Sequence, residues 1–271
     1  MICDAQASSL VLTSLSASGV LLVHSTPLLR KAVAREIRIL QGLPNHKCIA
    51  QLLEVIETPR SIHIVLEYVS GGTLQQRVAT MGRIEERCAR PLVRQMLEAV
   101  EHCHAHGLCH RDLKLENVVQ DKSGQHVKLI DFGLSACWRP GDPLLTKTVG
   151  SLPCMAPELL ARRGYRGTPV DAWGMGVAIA CMLCGALPFE AESDALLRDL
   201  IMRAEYSLTI QEAPRSARYP ANNPRTHIDE MRPSTAACDL VGRLIVVDDL
   251  KRLTISESLS HEWVIGIQIE V

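Results

Sequence analysis

The sequence predicts an α+β fold, and three stretches carry that expectation. Apolar, β-branched runs at 52–56 and 62–68 flank Thr58-Pro59-Arg60, which has turn composition, so they read as two paired strands. Leu28, Leu29, Val33, Ile37 and Leu40 recur at helical spacing with Arg30, Lys31, Arg35, Glu36 and Arg38 between them. A second helical pattern covers 83–106, with Leu92, Met96, Leu97 and Val100 on its apolar side. At 271 residues the chain is long enough for a sizeable core.

The chemistry concentrates in 109–133. Val118-Val119 and the run 127–130 are short apolar strands, and Asp121-Lys122-Ser123-Gly124 between them is a turn. That hairpin returns Asp131 to the side of Asn117. A carboxylate and an amide are hard oxygen ligands, suited to Mg²⁺ with phosphate rather than to zinc. Asp112 stands five positions before Asn117, free of such a metal and able to accept a proton. Lys114 can offset charge on a phosphoryl group in transfer.

His110-Arg111-Asp112-Leu113 with Asn117, then Asp131-Phe132-Gly133, then Ala156-Pro157-Glu158 resemble the protein kinase signature in order and spacing. The resemblance implies a two-lobed fold, with a small β-rich N-lobe and a mainly helical C-lobe, and ATP with Mg²⁺ as cofactors. It implies that Asp112 takes the acceptor proton, Lys114 stabilises the γ-phosphate, and Asn117 and Asp131 hold Mg²⁺. Backbone groups of Glu67 and Val69 would hold adenine, with Leu66 as gatekeeper. Ser151 matches the residue that bonds Asp112 and Lys114 in serine/threonine kinases. Asp171 would brace the catalytic loop, Glu158 would pair with Arg252, and Cys154 replaces a usual tyrosine. Thr146 and Thr148 are candidate phosphosites, because an added dianion could pair with Arg111. No second basic residue for that pocket stands out, since Ala136 lies where many relatives carry lysine.

The resemblance fails at the start. No glycine-rich loop occurs, there is no Lys or Arg before Arg30, and Lys31 lies too close to Glu36 to be the lysine of the preceding strand. Glu36 is therefore expected to lack its partner. The expected divisions are an atypical segment at 1–25, a partial N-lobe and hinge at 26–69, and a C-lobe at 70–271 with an insertion near 211–235. The retained Asp112, Lys114, Asn117 and Asp131 favour an active serine/threonine kinase whose ATP-gripping segment is missing from this sequence. The alternatives are a pseudokinase or scaffold, and a binding module of another kind. Residues 67–72, Gly150-Ser151-Leu152-Pro153 and Leu187-Pro188-Phe189 look like the calcium/calmodulin-dependent group, in its AMP-activated-related or checkpoint-type branches.

A net charge of -1 gives no electrostatic case for nucleic acid or an anionic membrane. Ten scattered cysteines show no disulfide framework and read as reduced thiols of a cytoplasmic or nuclear protein. The apolar run 172–189 is long enough to span a membrane, but coincides with the buried central helix that the resemblance implies. His102, Cys103, His104, His106, Cys109 and His110 invite a zinc reading. Against it, residues two apart on a helix point to nearly opposite sides. The partners expected are protein substrates with Ser or Thr acceptors and an upstream kinase, with the chain a monomer.

Overall fold

A computed structural model describes residues 20–24, 27–58, 61–209 and 232–266. Among the described residues, the small lobe is a three-stranded antiparallel sheet carrying one helix. Its strands are β1 (Val20–His24), β2 (Leu52–Glu57) and β3 (Ser61–Leu66), in the order β1-β3-β2. β1 lines up Val20 with Val65 and His24 with Ser61, so the sheet reaches back into the segment set apart at 1–25. Its sequence, VLLVH, contains no lysine. Alternation in β3 sends Ile62, Ile64 and Leu66 inward, where they meet Val33 and Ile37 of α1 (Pro27–Gly42). Pro27 suits the first turn of that helix, where its missing N–H costs nothing.

The large lobe forms around α5 (Gly167–Cys184), an apolar helix of which 89% is buried. Its hydrophobicity is thus accounted for by core packing, although by length and composition alone it could cross a membrane. Against it packs α3 (Glu86–Ala105), three residues shorter at its start than the 83–106 pattern. Ile84 extends that apolar pattern without being helical; it is buried, and its N–H bonds the Met182 carbonyl. α2 (Leu74–Met81) precedes it behind a reciprocal Thr73–Gln76 cap. Further on come α4 (Pro157–Leu160), α6 (Asp194–Arg203), α7 (Thr235–Leu244), α8 (Ile255–Leu259) and α9 (Glu262–Ile265). Most of the expected insertion lies outside the described residues. Its end leads into α7, whose N-cap Ser234 is held by the Glu86 carboxylate at 2.6 and 2.7 Å.

Two short pairings carry the loops of interest. β4 (Leu108–Cys109) pairs with β7 (Ala136–Cys137), and β5 (Val118–Gln120) with β6 (Val127–Leu129). The second is the hairpin read from the sequence, with Gly124 at φ 67° in its turn and Asp121 Oδ1 accepting from the Gln125 and His126 amides. The lobes join where Ala50 N–H donates to the Leu129 carbonyl and Leu129 N–H to that of Cys48.

Candidate active site

The loop at 110–117 is a bonded network. Asp112 Oδ1 accepts from the Ser151 N–H at 3.1 Å and its Oγ at 3.2 Å. Asp112 Oδ2 lies 2.8 Å from the Lys114 ammonium and 3.1 Å from Asn117 Nδ2. Lys114 Nζ also donates to Ser151 Oγ at 2.7 Å. Burial works against the Lys114 charge, but the Asp112 carboxylate outweighs it and holds the ammonium above its usual pKa. Gly150, at φ 107°, runs beside this loop: a Cβ there would meet the Arg111 carbonyl at 3.0 Å. Asp112, Lys114, Asn117 and Ser151, four of the residues that the sequence singled out, therefore meet at one point.

Asp171 anchors the loop from below. Its Oδ1 accepts from the Arg111 N–H at 2.6 Å, and its Oδ2 accepts from the His110 N–H and His104 Nε2, each at 2.8 Å. Burial would raise its pKa, yet the His104 bond and neighbouring positive charge hold it below the usual range. These bonds fix Arg111 at φ 68°, a left-handed geometry that costs a side-chain-bearing residue roughly 1–2 kcal/mol. Arg252 pairs with Glu158 at 2.8 and 3.1 Å, beneath the segment that carries Ser151.

Asp131, at φ 65°, is brought to Asn117 by the β5–β6 hairpin; the Ile130 N–H bonds the Asn117 carbonyl at 2.9 Å. Phe132 is buried edge-on against His110, with ring centroids 5.1 Å apart. Burial pushes the Asp131 carboxyl above its usual pKa. Glu36 faces the same loop and is only 2% exposed. Burial, and then the charge of Asp131, raise it from 4.5 to about 7. No lysine stands between these two acids among the described residues. The folded chain consequently holds a Glu36 proton, between pH about 4.5 and 7, that the unfolded chain has released. Stability must fall as pH rises through that window and level off above it, by about 3 kcal/mol at most for a shift of this size. Urea unfolding in Mg²⁺-free buffer should show the fall in wild type, and Glu36→Gln should lessen it, the raised Asp131 carboxyl supplying the rest. Parallel profiles for the two proteins would overturn the assignment.

The sequence also left a basic group unnoticed. Arg35 reaches from α1 to donate to the Gly133 carbonyl, and its charge acts on that of Arg111. Arg111 donates to the Leu134 carbonyl at 2.8 and 2.5 Å and to the Tyr165 hydroxyl at 2.8 Å. Tyr165 in turn donates to the Lys147 carbonyl at 2.7 Å, between the exposed Thr146 and Thr148. The Thr148 hydroxyl bonds the Leu159 carbonyl at 3.3 Å.

At the hinge, Leu66 is buried against α1. Glu67 N–H bonds the Gln51 carbonyl at 2.8 Å, and its carboxylate pairs with Lys128 at 3.0 Å. The Glu67 carbonyl and Val69 N–H have no partner among the described residues, which leaves an acceptor and a donor for a planar base. Beside them Ala50, Val119 and Ile130 form a separate apolar cluster that Val69 touches.

The histidines divide. His104 turns inward to Asp171, whereas His102 and His106, four apart, lie together with ring centroids 4.5 Å apart. The argument from residues two apart separates His104 from the others but does not separate that pair.

Two unequal lobes, with a carboxylate–lysine–amide loop between them, define a protein kinase domain. The sequence matches the protein kinase domain family over residues 21–264, and the chain belongs to that family. It is 36% identical over 240 residues to calcium-dependent protein kinase 8 of Oryza sativa subsp. japonica, covering 88% of this chain and 41% of that protein. It is 39% identical over 229 residues to the serine/threonine protein kinase OSK3 of Oryza sativa subsp. indica, covering 84% and 40%. The chain spans about two fifths of the length of the curated relatives it matches.

Proposed function

We propose that this chain transfers the γ-phosphoryl group of ATP to Ser or Thr hydroxyls of protein substrates. The observation that carries the reading is the Asp112–Lys114–Asn117–Ser151 network, complete and mutually bonded. Asp112 orients the acceptor hydroxyl and takes its proton as the new oxygen–phosphorus bond forms and the bond to the ADP oxygen breaks. Lys114 offsets charge on the phosphoryl oxygens. The residues fit Mg²⁺. Asn117 uses its amide nitrogen on Asp112 and keeps its oxygen free among the described residues. Asp131 gives one oxygen to the Gly133 N–H and keeps the other. Asn117 and Asp131 would hold the ion, whose charge neutralises phosphate oxygens.

The likeness to calcium-dependent and OSK-type kinases supports placement in the calcium/calmodulin-dependent group. Arg35 beside Arg111 supports regulation by an upstream kinase acting on Thr146 or Thr148, since a phosphate there would meet two guanidiniums. A second reading, a pseudokinase or scaffold, has its own support: β1 lacks a lysine and Glu36 is buried against Asp131. The purified chain, given Mg-ATP and a mixed Ser/Thr/Tyr peptide pool, should yield phosphoserine or phosphothreonine and no phosphotyrosine. A folded chain that transfers nothing would leave the second reading standing.

A further inference from the structure

The turn at 46–49, in the loop from α1 to β2, is where the small lobe meets the large one. His46 shapes it twice: its carbonyl accepts from the Ile49 N–H at 3.1 Å, and its ring Nδ1 accepts from the Cys48 N–H at 3.2 Å. The turn then pairs with β6. Leu129 N–H donates to the Cys48 carbonyl at 2.8 Å, and Ala50 N–H to the Leu129 carbonyl at 3.0 Å. On its other side, the ring of His102 in α3 stacks on His46, with centroids 4.8 Å and planes 23° apart. His102 Nε2 also reaches the Pro44 carbonyl at 2.8 Å. We propose that His46 is a proton-sensitive latch at this joint: neutral, it holds the turn against β6, and protonated, it releases it.

The backbone decides where a proton must go. A backbone N–H can only donate, so His46 Nδ1 carries the lone pair and Nε2 the ring proton. An added proton has only Nδ1 to take it. There it faces the Cys48 N–H, donor against donor, and the bond that shapes the turn is lost. The same proton also puts a cation on a ring stacked against a second imidazole. His102 differs. Its Nε2 donates to the Pro44 carbonyl, so a proton added at Nδ1 leaves that bond intact and contributes only repulsion. The sensitive atom is His46 Nδ1.

The charged groups around the ring point the same way. Burial first, and then the charge on His102, hold His46 below the ordinary imidazole pKa of 6.5. Glu98 of α3 acts in the other direction, but its carboxylate is engaged by Lys47 at 3.0 Å and Arg94 at 3.3 Å. Lys47, and Lys128 of β6, oppose a further positive charge. His106 places a third imidazole 4.5 Å from the His102 ring. Burial pushes the Cys48 thiol up, so it stays neutral. A histidine whose pKa is lower in the closed state than in the open one stabilises closure fully above 6.5. That contribution is lost as pH falls below 6.5. Glu36 has the opposite sign, its contribution being lost as pH rises.

Amide hydrogen exchange of the full chain, read by NMR and corrected for the intrinsic rate, tests this without any catalysis. From pH about 7.5 to 5.5, protection of the Cys48, Ala50 and Leu129 amides should fall several-fold, by about tenfold at most, while that of the α5 amides does not follow. The His46 Nδ1 resonance should titrate over the same range. His46→Asn keeps an acceptor for the N–H two residues on, as in an Asx turn, and has no proton to gain. Protection in that variant should not depend on pH. His46→Ala removes the acceptor and should show low protection at both ends of the range. No fall in wild type, or a fall of equal size in His46→Asn, would overturn the proposal. So would a fall shared by the α5 amides, since the whole chain would then be opening.

Discussion

Arg252→Ala is expected to lower the unfolding free energy by about 3–5 kcal/mol, the range for breaking a buried ion pair from one side. The Arg252 side chain is 0% exposed, and that of Glu158 is 14% exposed. Besides its two bonds to Glu158, the guanidinium donates to the Val246 carbonyl at 3.0 and 2.8 Å and to the Pro169 carbonyl at 2.6 Å. It also lies 5.1 Å from the centre of the Trp173 ring. Alanine would leave a largely buried carboxylate without its cation, two carbonyls without these donors, and a hole beside Trp173. Arg252→Lys keeps the charge but not the planar fork, so its loss should be intermediate. An apolar pair, Arg252→Met with Glu158→Leu, should recover part of the loss, because the cost lies in the stranded charge rather than in the missing attraction. Urea unfolding of the four proteins checks the series. A loss below about 1 kcal/mol for Arg252→Ala would mean that the pair is replaceable by water, as exposed pairs are.

How far the sequence reached depends on how local each feature is. The hairpin that returns Asp131 to Asn117 was legible because a four-residue turn and two β-branched runs determine it. The carboxylate, lysine and amide of the catalytic loop lie within six positions of one another, and a contiguous motif names them. Glu158 and Arg252, 94 residues apart, could be joined only by resemblance. Arg35 was missed for a related reason. On the loop itself, position 136 offers the Arg111 pocket only an alanine, whereas α1 delivers a second cation across 98 residues to the Gly133 carbonyl. Composition marks Arg35 as one more polar residue on an amphipathic helix. The depth of Glu36 was equally hidden, because burial of a carboxylate depends on what the opposing loop places over it. Helix phase, applied only at a separation of two, hid the His102–His106 pair.

Asp112→Asn should lower kcat for phosphotransfer by about 10²–10⁴-fold, the usual contribution of a positioned general base. The size of the loss follows from what the site asks of this one carboxylate. Oδ1 is held by two Ser151 donors, and Oδ2 faces the Lys114 ammonium and the Asn117 amide nitrogen. Every close partner is a donor, so the group is kept as an acceptor. An asparagine can keep its oxygen on Ser151, but its NH₂ then faces Lys114 and Asn117, donor against donor. On the proposed reading the variant loses the base and also disorders the Lys114 ammonium that would offset charge on the phosphoryl group. On the proposed reading ATP is held at Glu67 and Val69, neither of which bonds to this network, so KM for ATP should move little while kcat falls. Ser151→Ala should have a smaller effect, because its backbone N–H still reaches Asp112 Oδ1. Rates measured on a serine peptide with Mg-ATP decide the matter. Equal rates for wild type and Asp112→Asn would mean that any phosphate transferred owes nothing to this loop, and the bonded network would then be a scaffold for the 112–151 fold alone.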